Sequence, residues 1–241
     1  MMKKQLLLSV VTLATPLLLG TSGVFAAEQP TSVQNNVSDP TPSTAQTPIT
    51  AELTINQTTA KPVAPTQPGE GGGDQQTNIT GIYGIAYTPA ALSGHAQLNE
   101  SGSQQVDLAS NSATKYNVGV QDKTRKKNQE WTLKAKLAWI GDVNNYMKGT
   151  TITATGGNVK ENKNGTLEVL SSGQVTTSAA TLTIGQDSEV EIMKATKGQT
   201  MKGVYNYQFE NPKLVIPETS TVAAGTYNGN INWNLENTPN P

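Results

Sequence analysis

Cysteine is absent from all 241 residues. Disulfides, thiolate nucleophiles, thiolate metal sites and a lipid-modified cysteine anchor are therefore excluded together. A chain approaching two hundred folded residues buries enough surface to hold without cross-links, so this absence does not argue against export. Charge is also scarce, at 15% of residues, against roughly 25% in an average globular protein. With 17 Lys and Arg against 18 Asp and Glu, the net charge is −1. A nucleic-acid binder carries a clear basic excess, so that class is set aside.

Catalytic residue types are just as thin. The single histidine, His95, lies in a Gly/Ser-rich stretch with no acidic residue at a recognisable spacing. No Gly-x-Ser-x-Gly elbow supplies a nucleophile beside it, so a Ser-His-Asp hydrolase lacks its parts. Asp142-Val143-Asn144 opens like a calcium loop but lacks the later Gly and the closing Glu. The remaining catalytic chemistry is a carboxylate pair, with Glu189 and Glu191 on one strand face as candidates for a wall hydrolase. Two carboxylates on one strand are usually a wet face. The expectation is a protein that is not an enzyme and carries neither cofactor nor metal.

Long apolar runs are limited to one. Lys3 and Lys4 precede an apolar stretch from Leu6 to Leu19 of about 14 residues, and Val24-Phe25-Ala26 follows with small residues at the cleavage positions. A spanning helix needs about 20 apolar residues, and Thr12, Thr15 and Pro16 shorten this one further. Residues 1–26 therefore read as a signal peptide, and the mature chain carries no membrane span.

What the chain does contain is Thr, Asn, Gln and Gly, which suit strands and turns better than surface helices. Residues 27–46 are a Pro/Thr-rich spacer with too few aliphatic side chains to offset the entropy of ordering. Ile49 to Ile55 alternates and reads as a short strand, and residues 61–76 read as an exposed Pro/Gly-rich loop. Alternation then recurs. Tyr116, Val118 and Val120 share a face, as do Trp131, Leu133, Ala135, Leu137 and Trp139. The same holds for Tyr205, Tyr207 and Phe209, and for Tyr227, Ile231, Trp233 and Leu235. A period of two in each run predicts half-buried antiparallel strands, and no window holds a helical period over three turns. Asn164-Gly165, Asn228-Gly229 and Gly156-Gly157 supply turn or bulge chemistry. The predicted fold is all-β, an antiparallel β-sandwich-like domain over residues 47–241.

Two of these strands contain Trp-x-Leu: Trp131-Thr132-Leu133 and Trp233-Asn234-Leu235. The second follows Leu214-Val215-Ile216-Pro217 and Ala224-Gly225-Thr226-Tyr227, and the first follows Val118-Gly119-Val120-Gln121-Asp122. This succession resembles the WxL family, a cell-surface module of low-GC Gram-positive bacteria, across nearly the whole mature chain. Asn232 and Asn234 stand where that family more often has Thr, and Ile82-Tyr83-Gly84 where its aromatic-Gly pair usually contains Phe. The resemblance implies a secreted protein held non-covalently on the cell wall, with peptidoglycan as ligand. It also implies partnership with a membrane-anchored WxL-interacting protein and larger WxL proteins. An adhesin that binds host or matrix protein is the competing reading, and a carboxylate-dependent hydrolase the third.

The motif residues Trp131, Leu133, Trp233 and Leu235 have two possible roles, as core or as platforms on which sugar rings stack. Apolar neighbours on the same faces favour core for both tryptophans. Lys123, Arg125, Lys126 and Lys127, extended along the strand by Lys134 and Lys136, are candidate contacts to an anionic wall polymer. The competing reading of this run is a solvated hairpin turn.

Overall fold

The computed structural model describes residues 41–237 apart from 58, 59, 68, 111, 112, 127, 128, 172, 197, 199 and 201. The expected signal peptide, the expected spacer as far as residue 40, and Lys127 lie outside the described residues. The chain divides into two units after Ala51. In the first, the described residues 41–51 are exposed and form no strand. The second contains every described strand.

There are twelve: β1 Asp74–Gln76, β2 Tyr83–Pro89, β3 Gln104–Asp107, β4 Lys115–Asp122, β5 Trp131–Ile140, β6 Thr151–Lys163, β7 Thr166–Glu168, β8 Val175–Thr176, β9 Leu182–Ile184, β10 Val190–Ala195, β11 Gly203–Ile216 and β12 Asn228–Asn237. The larger sheet runs β1-β2-β4-β11-β6-β7, with β3 added to β11 and β9 to β6; the smaller runs β12-β5-β10-β8. Every described ladder is antiparallel. No described helix is long and apolar enough to cross a membrane. The all-β sandwich that the alternation predicts is what the chain forms.

One core lies between the sheets. Tyr116, Val118 and Val120 of β4 and Tyr205, Tyr207 and Phe209 of β11 meet Trp131, Leu133, Ala135 and Leu137 of β5. These are the residues that alternation placed on inward faces, because successive side chains of a strand point to opposite sides. Rings stack where β4 and β11 run side by side, with Tyr116 and Phe209 centroids 5.5 Å apart.

β4 and the first half of β11 are not half-buried as expected, because a second layer covers their outward faces. Tyr87 of β2 lies over Gly119, where any β-carbon would collide with the ring, so only glycine fits there. Around it Asn162 Nδ2 donates to Tyr87 Oη at 2.8 Å, Tyr87 Oη donates to Asn206 Oδ1 at 2.9 Å, and Asn206 Nδ2 donates to Asn117 Oδ1 at 2.9 Å. Residues 61–76, expected to be an exposed loop, are strapped onto this layer. Asn162 Nδ2 also donates to the Val63 carbonyl at 2.8 Å, and Asn117 donates from its backbone N and its Nδ2 to Asp74 at 2.8 and 2.9 Å. Pro62, Pro65 and Gly73 are buried as a result. Buried amides that each find partners hold the strap without an apolar face, which explains why hydropathy does not reveal it.

Two further expectations change. Ile49 to Ile55 forms no strand: Ile49 and Leu53 are 89% and 91% exposed. Alternation makes a segment fit to be a strand but does not supply a neighbour to pair with. Asn164-Gly165 makes the β6–β7 turn, with φ of 54° and 94°, and Gly156-Gly157 makes a bulge inside β6 at the register shift opposite Phe209, whereas Asn228-Gly229 opens β12 and makes no turn.

Candidate functional site

The two Trp-x-Leu motifs are brought side by side. In the β5–β12 ladder Leu133 stands opposite Leu235, Trp233 opposite Ala135 and Trp131 opposite Asn237. Their tryptophans nevertheless have different surroundings. Trp131 is fully buried, its ring 6.0 Å from that of Tyr205. Its Nε1 donates to Asp122 Oδ2 at 3.2 Å, an oxygen that also accepts from Thr200 Oγ1 at 2.9 Å. The other oxygen, Oδ1, accepts from Thr124 N and Thr124 Oγ1 at 3.1 and 2.8 Å. Asp122 thus ends β4 as a fully buried carboxylate surrounded by donors. Sequence reasoning placed Asp122 in the run that precedes the first motif but gave it no role; its place closing a buried strand before the motif was the available signal.

Trp233 is partly buried and packs against the core, as its apolar neighbours lead one to expect, but it is not sealed in like Trp131, because β12 is the edge strand of its sheet among the described residues. With Ile231 it forms a ridge between two depressions. One is an open cleft of about 700 Å³ whose far wall is Thr77–Ile85. The other is a groove of about 900 Å³. Leu137, Ile152 and Leu214 form its floor, Trp139, Tyr227 and Trp233 stand along it, and residues 89–98 and 222–230 form its rims. Trp139 is fixed there by an Nε1 hydrogen bond to Thr150 Oγ1 at 2.9 Å, and Thr150 in turn donates to the Met147 carbonyl at 2.7 Å. Tyr227 is held by donation from its hydroxyl to the Ala223 carbonyl at 2.6 Å and by an edge contact to Tyr146. Among the described residues no Asp, Glu, Lys or Arg lines the groove or the cleft. His95 is on the groove rim. The sequence pattern gave no sign that residues 89–98 and 222–230 converge.

The basic candidates are elsewhere and are divided. Lys123, Arg125 and Lys126 lie on the β4–β5 loop, half-buried or exposed. Lys134 and Lys136 lie on the outer face of β5, where Lys134 Nζ meets Glu236 Oε2 at 2.6 Å and Lys136 Nζ donates to the Asp187 carbonyl at 3.2 Å. Of the carboxylate pair, Glu189 accepts from Asn234 Nδ2 at 3.2 Å, and Glu191 pairs in register with Lys134. Asp142 is engaged by backbone: its oxygens accept from Tyr146 N and Met147 N at 2.9 Å each. No group of acidic or histidine ligands for a metal occurs among the described residues.

The family model for the WxL domain, described as surface cell wall-binding, matches residues 40–239. The chain belongs to the WxL family. No curated protein and no solved structure gives a match. As a WxL-domain protein it is a cell-wall-binding surface protein, and the family is one of wall binding and not of enzymes. In this WxL domain one signature tryptophan is structural and the other stands at the edge of an uncharged groove.

Proposed function

We propose that this WxL domain holds the wall non-covalently by seating neutral glycan of peptidoglycan in the groove flanked by Trp139, Tyr227 and Trp233. The observation that carries this reading is the lining: aromatic and aliphatic side chains with the amides of Asn228 and Asn230, and no Asp, Glu, Lys or Arg among the described residues. Sugar rings present apolar faces that pack on aromatic rings and hydroxyls that bond to amides such as Asn230, contacts that need no charge. A phosphate-rich polymer would call for paired cations, and Lys134 is already paired with Glu236. The exported state implied by residues 1–26, and a place in an assembly with a membrane-anchored WxL-interacting protein and larger WxL proteins, belong to the same proposal. Sedimentation of the purified protein with walls, before and after teichoic acid removal, tests it. Binding is expected to survive that removal and to fall at least tenfold in Tyr227→Ala, with the melting temperature nearly unchanged. Binding that disappears with the teichoic acids overturns the groove reading.

A further inference from the structure

Two features of the molecule remain unpartnered and match one another. The first is the outer edge of β12. Strands at sheet edges expose a row of unpaired N–H and C=O groups, and proteins usually blunt them by shortness, lysine, proline or a bulge. The terminal strands β1, β7 and β8 have three, three and two residues. β12 has ten, contains neither Lys nor Pro, and keeps an unbroken register with β5 from Asn228 to Asn237. Among the described residues, no backbone hydrogen bond outside that ladder involves it. Its edge borders the open cleft beside Ile231 and Trp233.

The second feature is the segment Ile49–Ile55. It alternates as a strand does, yet joins no sheet, and leaves Ile49 and Leu53 almost wholly in water. The family match begins at residue 40, so this segment belongs to the module and not to a variable leader.

We propose that Ile49–Ile55 of one chain adds as a strand to the β12 edge of a second copy. Antiparallel addition with Leu53 opposite Trp233 sets Ile55 against Ile231 and Ala51 against Leu235, so the apolar faces coincide. Thr54 and Glu52 then face Asn232 and Asn234, and Thr50 faces Glu236, whose carboxylate is already paired with Lys134. Main-chain bonds supply the attraction and the alternate side chains fix the register, as in other cases of strand addition. Each copy offers one donor segment and one acceptor edge, so the contact is heterologous and extends from copy to copy. This goes beyond wall binding; it uses the cleft side of the ridge formed by Ile231 and Trp233, whereas the glycan is proposed on the groove side.

The purified protein should associate with increasing concentration in analytical ultracentrifugation. Leu53→Asp should leave it monomeric with an unchanged melting temperature, since Leu53 touches almost nothing in the monomer, and wall sedimentation of that variant should persist. The chain has no native cysteine, so mixing a Thr54→Cys protein with an Asn232→Cys protein should give a disulfide-linked heterodimer well above the homodimers formed by either alone. A protein that stays monomeric at all concentrations overturns the proposal. So does association that Leu53→Asp leaves intact, or a mixture of the two cysteine variants that gives no more heterodimer than homodimers.

Discussion

Trp131 and Trp233 occupy the same tripeptide, on adjacent strands, with their motif leucines opposite one another. One is sealed in the core with a buried carboxylate on its indole nitrogen, and the other packs against the core but stays partly exposed. The difference lies in strand position. Among the described residues β5 has a neighbour on each side, β12 and β10, whereas β12 has only β5. A shared motif therefore specifies the face to which a side chain points, while sheet order decides whether that face is closed.

The comparison breaks most directly at Trp131. Trp131→Ala is expected to destabilise the domain by about 3–5 kcal/mol, as removal of a large buried side chain does, and it strips a donor from Asp122. Urea unfolding measures this, and wall binding should fall in step with folded fraction. Trp233→Ala should cost less, about 1–2 kcal/mol, because part of the ring is already exposed. Its wall affinity should drop at least tenfold while the protein remains folded. If the two variants unfold alike, strand position is not what separates them.

The smallest effect contrasts two carboxylates on β4 and its strap. Asp122 is surrounded by four donor contacts. Asp74 has only the two from Asn117, and burial pushes its carboxyl up from 3.8 to about 6, with those two bonds opposing the rise. A carboxyl raised on folding binds its proton more tightly in the native state. Its contribution to stability is therefore greatest below pH 4 and is lost as pH rises through 6. Denaturant midpoints between pH 4 and 7 should show this slope in the native protein and a flatter one in Asp74→Asn. Equal slopes would show that the strap does not bury the charge.

Much of the sandwich was legible because its inward faces are plain alternations: Trp131 to Leu137, Tyr205 to Phe209, Tyr116 to Val120. β6 was not, because Gly156 and Gly157 break its alternation and Thr, Asn and Lys fill its outward positions. The strap was illegible for a different reason, since buried Asn117, Asn162 and Asn206 hold it by hydrogen bonds and not by hydropathy. Ile49–Ile55 was read as a strand from a pattern that says nothing of a partner. The groove was out of reach because its walls come from segments distant in sequence, and the lysines singled out as contacts lie away from it.

A groove without charge also sets how its contacts respond to the medium. Coulomb attraction between exposed groups fades as the Debye length shrinks from about 30 Å in dilute buffer to 3 Å at 1 M salt. Ring packing and amide bonds in a desolvated groove have no such dependence. On the proposed function, a glycan seated against Trp139 and Tyr227 would be held by terms that ionic strength hardly touches. Retention on the wall would then persist through changes in external salinity and end when the fold is lost.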